Sequence, residues 1–136
     1  MYSIGDLSRQ TGVKIPTIRY YEQMGLIEAP ERTQGNQRRY TQEGFQRLSF
    51  IRHSRELGFT IEDIRELLEL SRHPDRPCDD AHGIAIRHLA DIRIKIRKMK
   101  RLEHELKRIS KCNADNLADC AVIETLADHS LCSGEH

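Results

Sequence analysis

Apolar residues at Ala85, Leu89, Ile92, Ile96, Met99, Leu102, Leu106 and Ile109 recur in steps of four and three. That spacing lays one narrow apolar seam along a helix running from about Asp79 to about Lys111. A seam of that length has to be covered. The chain has 136 residues, and no other segment is long enough to bury it. A helix folded back on its own head would show a broader face, so a seam of period 3.5 predicts a coiled-coil homodimer.

The remainder is a small head and a short tail. With 32% charged and 38% apolar residues, the composition suits exposed helices and an extended arm better than one compact globule. No run of about 18 apolar residues is present, and Met1–Asp6 lacks the regions of a signal peptide. The chain is therefore expected in the cytoplasm and not at a membrane. There, its four cysteines are expected to act as ligands or redox groups rather than as structural disulfides. Charge is unevenly placed. Residues 1–60 carry a net +3, residues 80–111 a net +6, and residues 112–136 a net −5. A basic head and an acidic, cysteine-bearing tail point to two partners, a polyanion and a cation.

Three segments follow: a head over 1–76, a dimerisation helix over 77–111, and a cysteine-bearing loop and tail over 112–136. In the head, Ser3 is a plausible cap for a first helix containing Ile4 and Leu7, and Gly12-Val13 breaks it. A second short helix has Pro16 in its first turn, Ile18 inside and Gly25 past its end. Two short helices joined by a glycine turn are the sequence form of a helix-turn-helix. Residues 29–40, with Pro30, Gly35 and Asn36 among basic side chains, read as a β-hairpin wing. Phe45, Leu48, Ile51 and Leu57 then form one apolar stripe, stopped by Gly58. Thr60 caps a further helix bearing Ile61, Ile64, Leu67 and Leu68.

The densest chemical signal is Thr17-Ile18-Arg19-Tyr20-Tyr21-Glu22 followed by Gly25-Leu26-Ile27. A forked guanidinium at Arg19 can clamp phosphate or guanine, and Thr17 and Tyr20 supply hydroxyls to phosphates. The wing adds Arg38, Arg39 and Tyr40, and Lys14 adds a cation ahead of the second helix. Tyr21, one position round from Tyr20, reads as a core aromatic.

With these motifs the run from Ile4 to Leu70 resembles the mercury-resistance-regulator (MerR) family. Thr17–Ile27 matches its T-x-R-Y-Y-E-x-x-G-L-I pattern, Arg38-Arg39-Tyr40 its wing motif, and Gly58–Ile64 the start of its last head helix. The resemblance implies a mainly α protein with a winged helix-turn-helix head and a long antiparallel coiled-coil dimerisation helix. It also implies binding to a promoter palindrome in an over-long spacer. The DNA is then distorted when an effector binds, so that RNA polymerase engages both promoter elements.

Cys112 and Cys120 flank an acidic loop, and two thiols at that spacing can close on one soft ion. Cys78 stands at the other end of the long helix. At 1.5 Å per residue the two ends are about 50 Å apart, so these thiols cannot meet within one chain. In the antiparallel dimer that the resemblance implies, Cys78 of one protomer lands beside Cys112 and Cys120 of the other. The resemblance also connects Cys at position 78 with divalent ions, where copper(I) sensors carry Ser. Zn2+ is the expected ion, with Cd2+, Pb2+, Hg2+ and Cu+ as alternatives. His129 and Cys132 have zinc-ligand spacing in the tail, and His82 lies one helical turn after Cys78. Other readings fare worse. An iron–sulfur regulator of the same family would need four clustered cysteines after the long helix. A zinc enzyme would need an acid/base pair beside its ligands. Neither an enzyme nor a metal buffer accounts for the head and the seam.

Overall fold

The computed structural model describes residues 1–32, 34–35, 37–111 and 116–128. It is mainly helical and divides into two compact units, Met1–Ile84 and Ala85–His136.

The first unit opens with α1 (Ile4–Thr11) and α2 (Ile15–Gln23). The Ser3 hydroxyl accepts from the Asp6 amide at 3.1 Å, satisfying an otherwise unpaired donor of the first turn. Gly12 ends α1 at φ 75°, a left-handed conformation suited to glycine, and its amide reaches back to the Ser8 carbonyl at 2.8 Å. Pro16 falls in the first turn of α2, where its missing N–H costs no hydrogen bond. Ile18 and Tyr21 face inward from that helix.

The wing is a two-stranded antiparallel sheet of β1 (Glu31–Arg32) and β2 (Arg38–Arg39), with Glu31 opposite Arg39 and Arg32 opposite Arg38. Tyr40 continues the ladder by bridging Tyr2, with backbone hydrogen bonds of 2.7 and 2.9 Å. The Tyr2 ring stacks on Phe45 at 5.1 Å. The chain's second residue thus ties the base of the wing to α3 (Gln42–Glu56). Thr41 caps α3 and Thr60 caps α4 (Ile61–Leu70), each accepting from the amide three residues on.

Leu7, Ile18, Leu26, Leu48, Ile51 and Ile64 are fully buried and form the centre of the head. Each contributes roughly 2 kcal/mol by leaving water. The expected α3 stripe holds at Phe45, Leu48 and Ile51 but not at Leu57, which is 68% exposed. Ser54 takes the inward position instead, its hydroxyl donating to the Phe50 carbonyl at 2.8 Å. Leu57 is the C-cap, where the chain turns away at Gly58 (φ 85°), so helical periodicity no longer applies to it.

The 31-residue α5 (Asp79–Ile109) supplies most of the second unit. Leu89, Ile96, Met99 and Leu106 of the predicted seam are 45–64% exposed. Ile92, Ile96, Met99, Leu102 and Leu106 line an open apolar groove rimmed by Lys95, Lys100, Glu103 and Lys107. A short 3-10 turn (Leu117–Asp119) and α6 (Ala121–Ala127) follow. Glu105, Ile109 and Thr125 are buried within this unit. Burial of the Glu105 carboxylate is offset by Arg108, whose guanidinium donates to it at 2.9 and 3.3 Å.

Candidate nucleic-acid interface and metal-binding thiols

Burying Ile18 and Tyr21 turns the neighbouring positions of α2 outward. Lys14, at its N-cap, and Arg19 are exposed, Thr17 is half-buried, and Tyr20 is 53% exposed. On the wing Arg38 is exposed. Arg39 is half-buried and donates to Gln37 at 2.7 Å.

Tyr40 is placed differently from the other side chains with which it was grouped as an expected DNA contact. It is 4% exposed, and its hydroxyl donates to the Glu22 carboxylate on α2. Burial pushes the Tyr40 phenol well above the usual tyrosine range, and its hydrogen bond to Glu22 and the charge of that carboxylate push it the same way. Arg19 and Arg38 pull it back down. Both guanidinia therefore lie in the field of this junction. Neither has an ion-pair partner among the described residues.

Two other arginines of the basic head have structural roles that residue type alone does not reveal. Arg47 donates twice to the Leu26 carbonyl, at 2.9 and 3.1 Å, and Arg52 donates to the Thr11 carbonyl. Arg52 ties the end of α1 to α3, and Arg47 ties the segment just past α2 to α3. Glu22 and Tyr2 were also missed as partners of the wing. The only available signals were their nearness to the T-x-R-Y-Y-E run and to the Ser3 cap.

Cys78 immediately precedes α5, is exposed, and accepts the His82 amide at its carbonyl at 2.8 Å. His82 is itself exposed one turn later. Beside Cys78 runs a cleft lined by Phe50, Leu67, Leu70, His73 and Pro77. Cys120 is half-buried between the 3-10 turn and α6, and its carbonyl accepts the Glu124 amide at 3.0 Å. Both thiols are free. Cys112, His129 and Cys132 lie outside the described residues. Among the described residues of one chain, no three His, Cys, Asp or Glu side chains converge on a point that could hold a metal. Cysteine and histidine side chains are ligands for soft and borderline cations rather than for magnesium or calcium. Among the described residues no helix is long and apolar enough to cross a membrane.

Residues 2–71 match the MerR HTH family regulatory protein profile, and residues 45–109 match the MerR DNA-binding profile. The chain is 38% identical over 129 residues to heavy metal-dependent transcription regulator 2 of Rhizobium meliloti, covering 94% of this chain and 88% of that protein. Among solved structures it is similar to the transcription regulator PbrR691 of Ralstonia metallidurans in complex with lead(II). The TM-score there is 0.77 at 34% identity, over 93% of this chain and 99% of the other. It is also similar to the dual-function regulator MerR of Bacillus megaterium in complex with mercury(II). That match has a TM-score of 0.69 at 34% identity, over 93% and 100% of the two chains.

Proposed function

This chain belongs to the MerR family of helix-turn-helix regulatory proteins, and from that membership we propose a divalent heavy-metal sensor that switches a promoter through a thiol site shared between two protomers. It is a transcription regulator and not an enzyme. Lys14, Thr17, Arg19 and Tyr20 on α2, with Arg38 and Arg39 on the wing, contact a DNA half-site. The apolar groove of α5 is covered by the same groove of a second copy, giving a homodimer with two heads. RNA polymerase is the partner that reads the resulting change in the DNA.

One observation carries the metal reading. A free, exposed thiol stands just ahead of a 31-residue helix, and a second free thiol follows its far end. At 1.5 Å per residue that helix is about 46 Å long. Cys78 and Cys120 therefore meet only if another protomer brings its Cys120, together with its Cys112, alongside. Three such thiolates would hold a borderline-soft ion and bond directly to it. Zinc is the favoured ion, with cadmium, lead and mercury next. The heavy-metal regulator and the lead and mercury complexes among its relatives support the class without choosing within it. His82, His129 and Cys132 are the candidates for any further ligand, and copper(I) is the competing inducer.

The test is transcription from the cognate promoter with purified protein and polymerase, titrated in parallel with zinc, cadmium, lead, mercury and copper(I). A divalent ion should activate, and Cys78→Ser should abolish activation while leaving the promoter mobility shift intact. Activation by copper(I) alone, or full activation of Cys78→Ser, overturns the proposal.

A further inference from the structure

We propose that Tyr40 is a positioning residue for DNA binding, its hydroxyl holding the Glu22 carboxylate so that Arg19 and Arg38 stay free for phosphate. This rests on the reading of those two arginines as DNA contacts. Glu22 lies three residues after Arg19 on α2, a spacing at which Arg and Glu side chains readily pair across a helix face. Arg38 enters the same junction from the wing, close enough for its charge to act on the Tyr40 phenol. The half-buried Glu22 carboxylate shares its hydrogen-bonded tyrosine with the fields of two exposed guanidinia, Arg19 and Arg38. It pairs with neither. Its partner is the buried Tyr40 hydroxyl, and both guanidinia remain without an ion pair among the described residues.

Tyr40 is well built for the task. Its backbone is fixed by the two hydrogen bonds to Tyr2 and its ring lies in the core, so the hydroxyl is presented to Glu22 at a set place. Without that hydroxyl, Glu22 turns to the nearest cation. A guanidinium paired with a carboxylate must give up that pair before it can bind phosphate, and it releases fewer counterions when it does. The consequence is a change in the salt dependence of DNA binding, which a loss of packing would not produce.

The experiment measures affinity of the full-length protein for a promoter duplex across a salt series, with circular dichroism confirming that each variant is folded. Tyr40→Phe keeps the ring and removes the hydroxyl. It should bind several-fold more weakly at low salt, with a salt slope shallower by about one unit for each head. Tyr40→Phe/Glu22→Gln removes the carboxylate as well and should restore both affinity and slope. Glu22→Gln alone should bind at least as tightly as the native chain. A Tyr40→Phe slope equal to the native one overturns the proposal, as does a loss that Glu22→Gln fails to repair. Arg19→Ala and Arg38→Ala serve as the reference. If both leave the slope unchanged, the reading of the head fails, and this proposal with it. If they flatten it while Tyr40→Phe does not, only this proposal fails.

Discussion

The Arg52 guanidinium donates to the carbonyl of Thr11, and it occupies the space where a side chain on Gly12 would begin. A Cβ built on Gly12 collides with the Arg52 guanidinium, in a residue whose φ of 75° already disfavours any side chain. Gly25 has the same φ but nothing within 4 Å of its Cβ position.

The pair makes a controlled comparison. Gly25→Ala should cost about 1 kcal/mol, from the left-handed backbone alone. Gly12→Ala should cost about 2–3 kcal/mol, because it also displaces Arg52 and leaves the Thr11 carbonyl without its charged donor. Denaturant unfolding at one fixed protein concentration measures both. Equal losses would mean that Arg52 yields without consequence.

That contact also shows where the sequence stopped being legible. The helical pieces, their caps at Ser3 and Thr60, and the turns at Gly12 and Gly25 are local, and local chemistry reports them. Arg47 and Arg52 look like any other basic residues of the head. Their partners, the carbonyls of Leu26 and Thr11, lie 21 and 41 residues away. Only the packing of α3 against the helix-turn-helix brings them within reach. The burial of Tyr40 was hidden for the same reason. An aromatic beside two arginines has the composition of a DNA contact, but the bridge to Tyr2 turns its ring inward. The thiols were legible as chemistry and not as geometry, since the shared site proposed for them involves a second chain.

Tyr40 should show itself in the pH dependence of stability. Its phenol is raised in the folded state, chiefly by burial and then by Glu22. A raised value means that the contribution of the neutral hydroxyl is complete below the unfolded tyrosine value of about 10 and declines as pH rises past it. The native chain should therefore be more stable than Tyr40→Phe at pH 8, and its advantage should shrink by pH 11. Unfolding midpoints of the two chains at both pH values provide the check. An advantage that does not change with pH would mean that the hydroxyl is not held as described.

The groove of α5 predicts an obligate assembly. Ile96 and Met99 are 47% and 64% exposed at its centre. Placing Asp at both positions puts two charges where a second copy's apolar side chains should lie, at a cost of several kcal/mol unless they are paired. Sedimentation of Ile96→Asp/Met99→Asp should show a monomer where the native chain is a dimer. Tight DNA binding should be lost with it, because two linked heads bind far more tightly than one. A variant that remains dimeric would place the interface elsewhere.

Mixed dimers give the sharpest test of the shared thiol site. If each site takes Cys78 from one protomer and Cys112 with Cys120 from the other, a dimer has two sites, and the lesions can be sorted between them. A homodimer of Cys78→Ser damages both sites, and so does a homodimer of Cys112→Ser/Cys120→Ser. When one chain of each kind is paired, the Cys78 lesion and the loop lesions fall in the same site, and the other site keeps all three native thiols. Differently tagged chains, co-expressed and purified through both tags, should bind one zinc ion tightly per dimer. The native dimer should bind two, and each variant homodimer should bind none tightly. The thermodynamic argument is direct, because removing one thiolate of three from a zinc site sacrifices a metal–sulfur bond that no neighbouring water replaces at equal strength. A site contained within one chain gives a different pattern. The Cys78→Ser homodimer would then keep its affinity, and in the mixed dimer the single ion would follow the chain with the intact loop. Retention of native affinity in both variant homodimers would exclude a cross-dimer site and leave the His129 and Cys132 pair as the leading ligands.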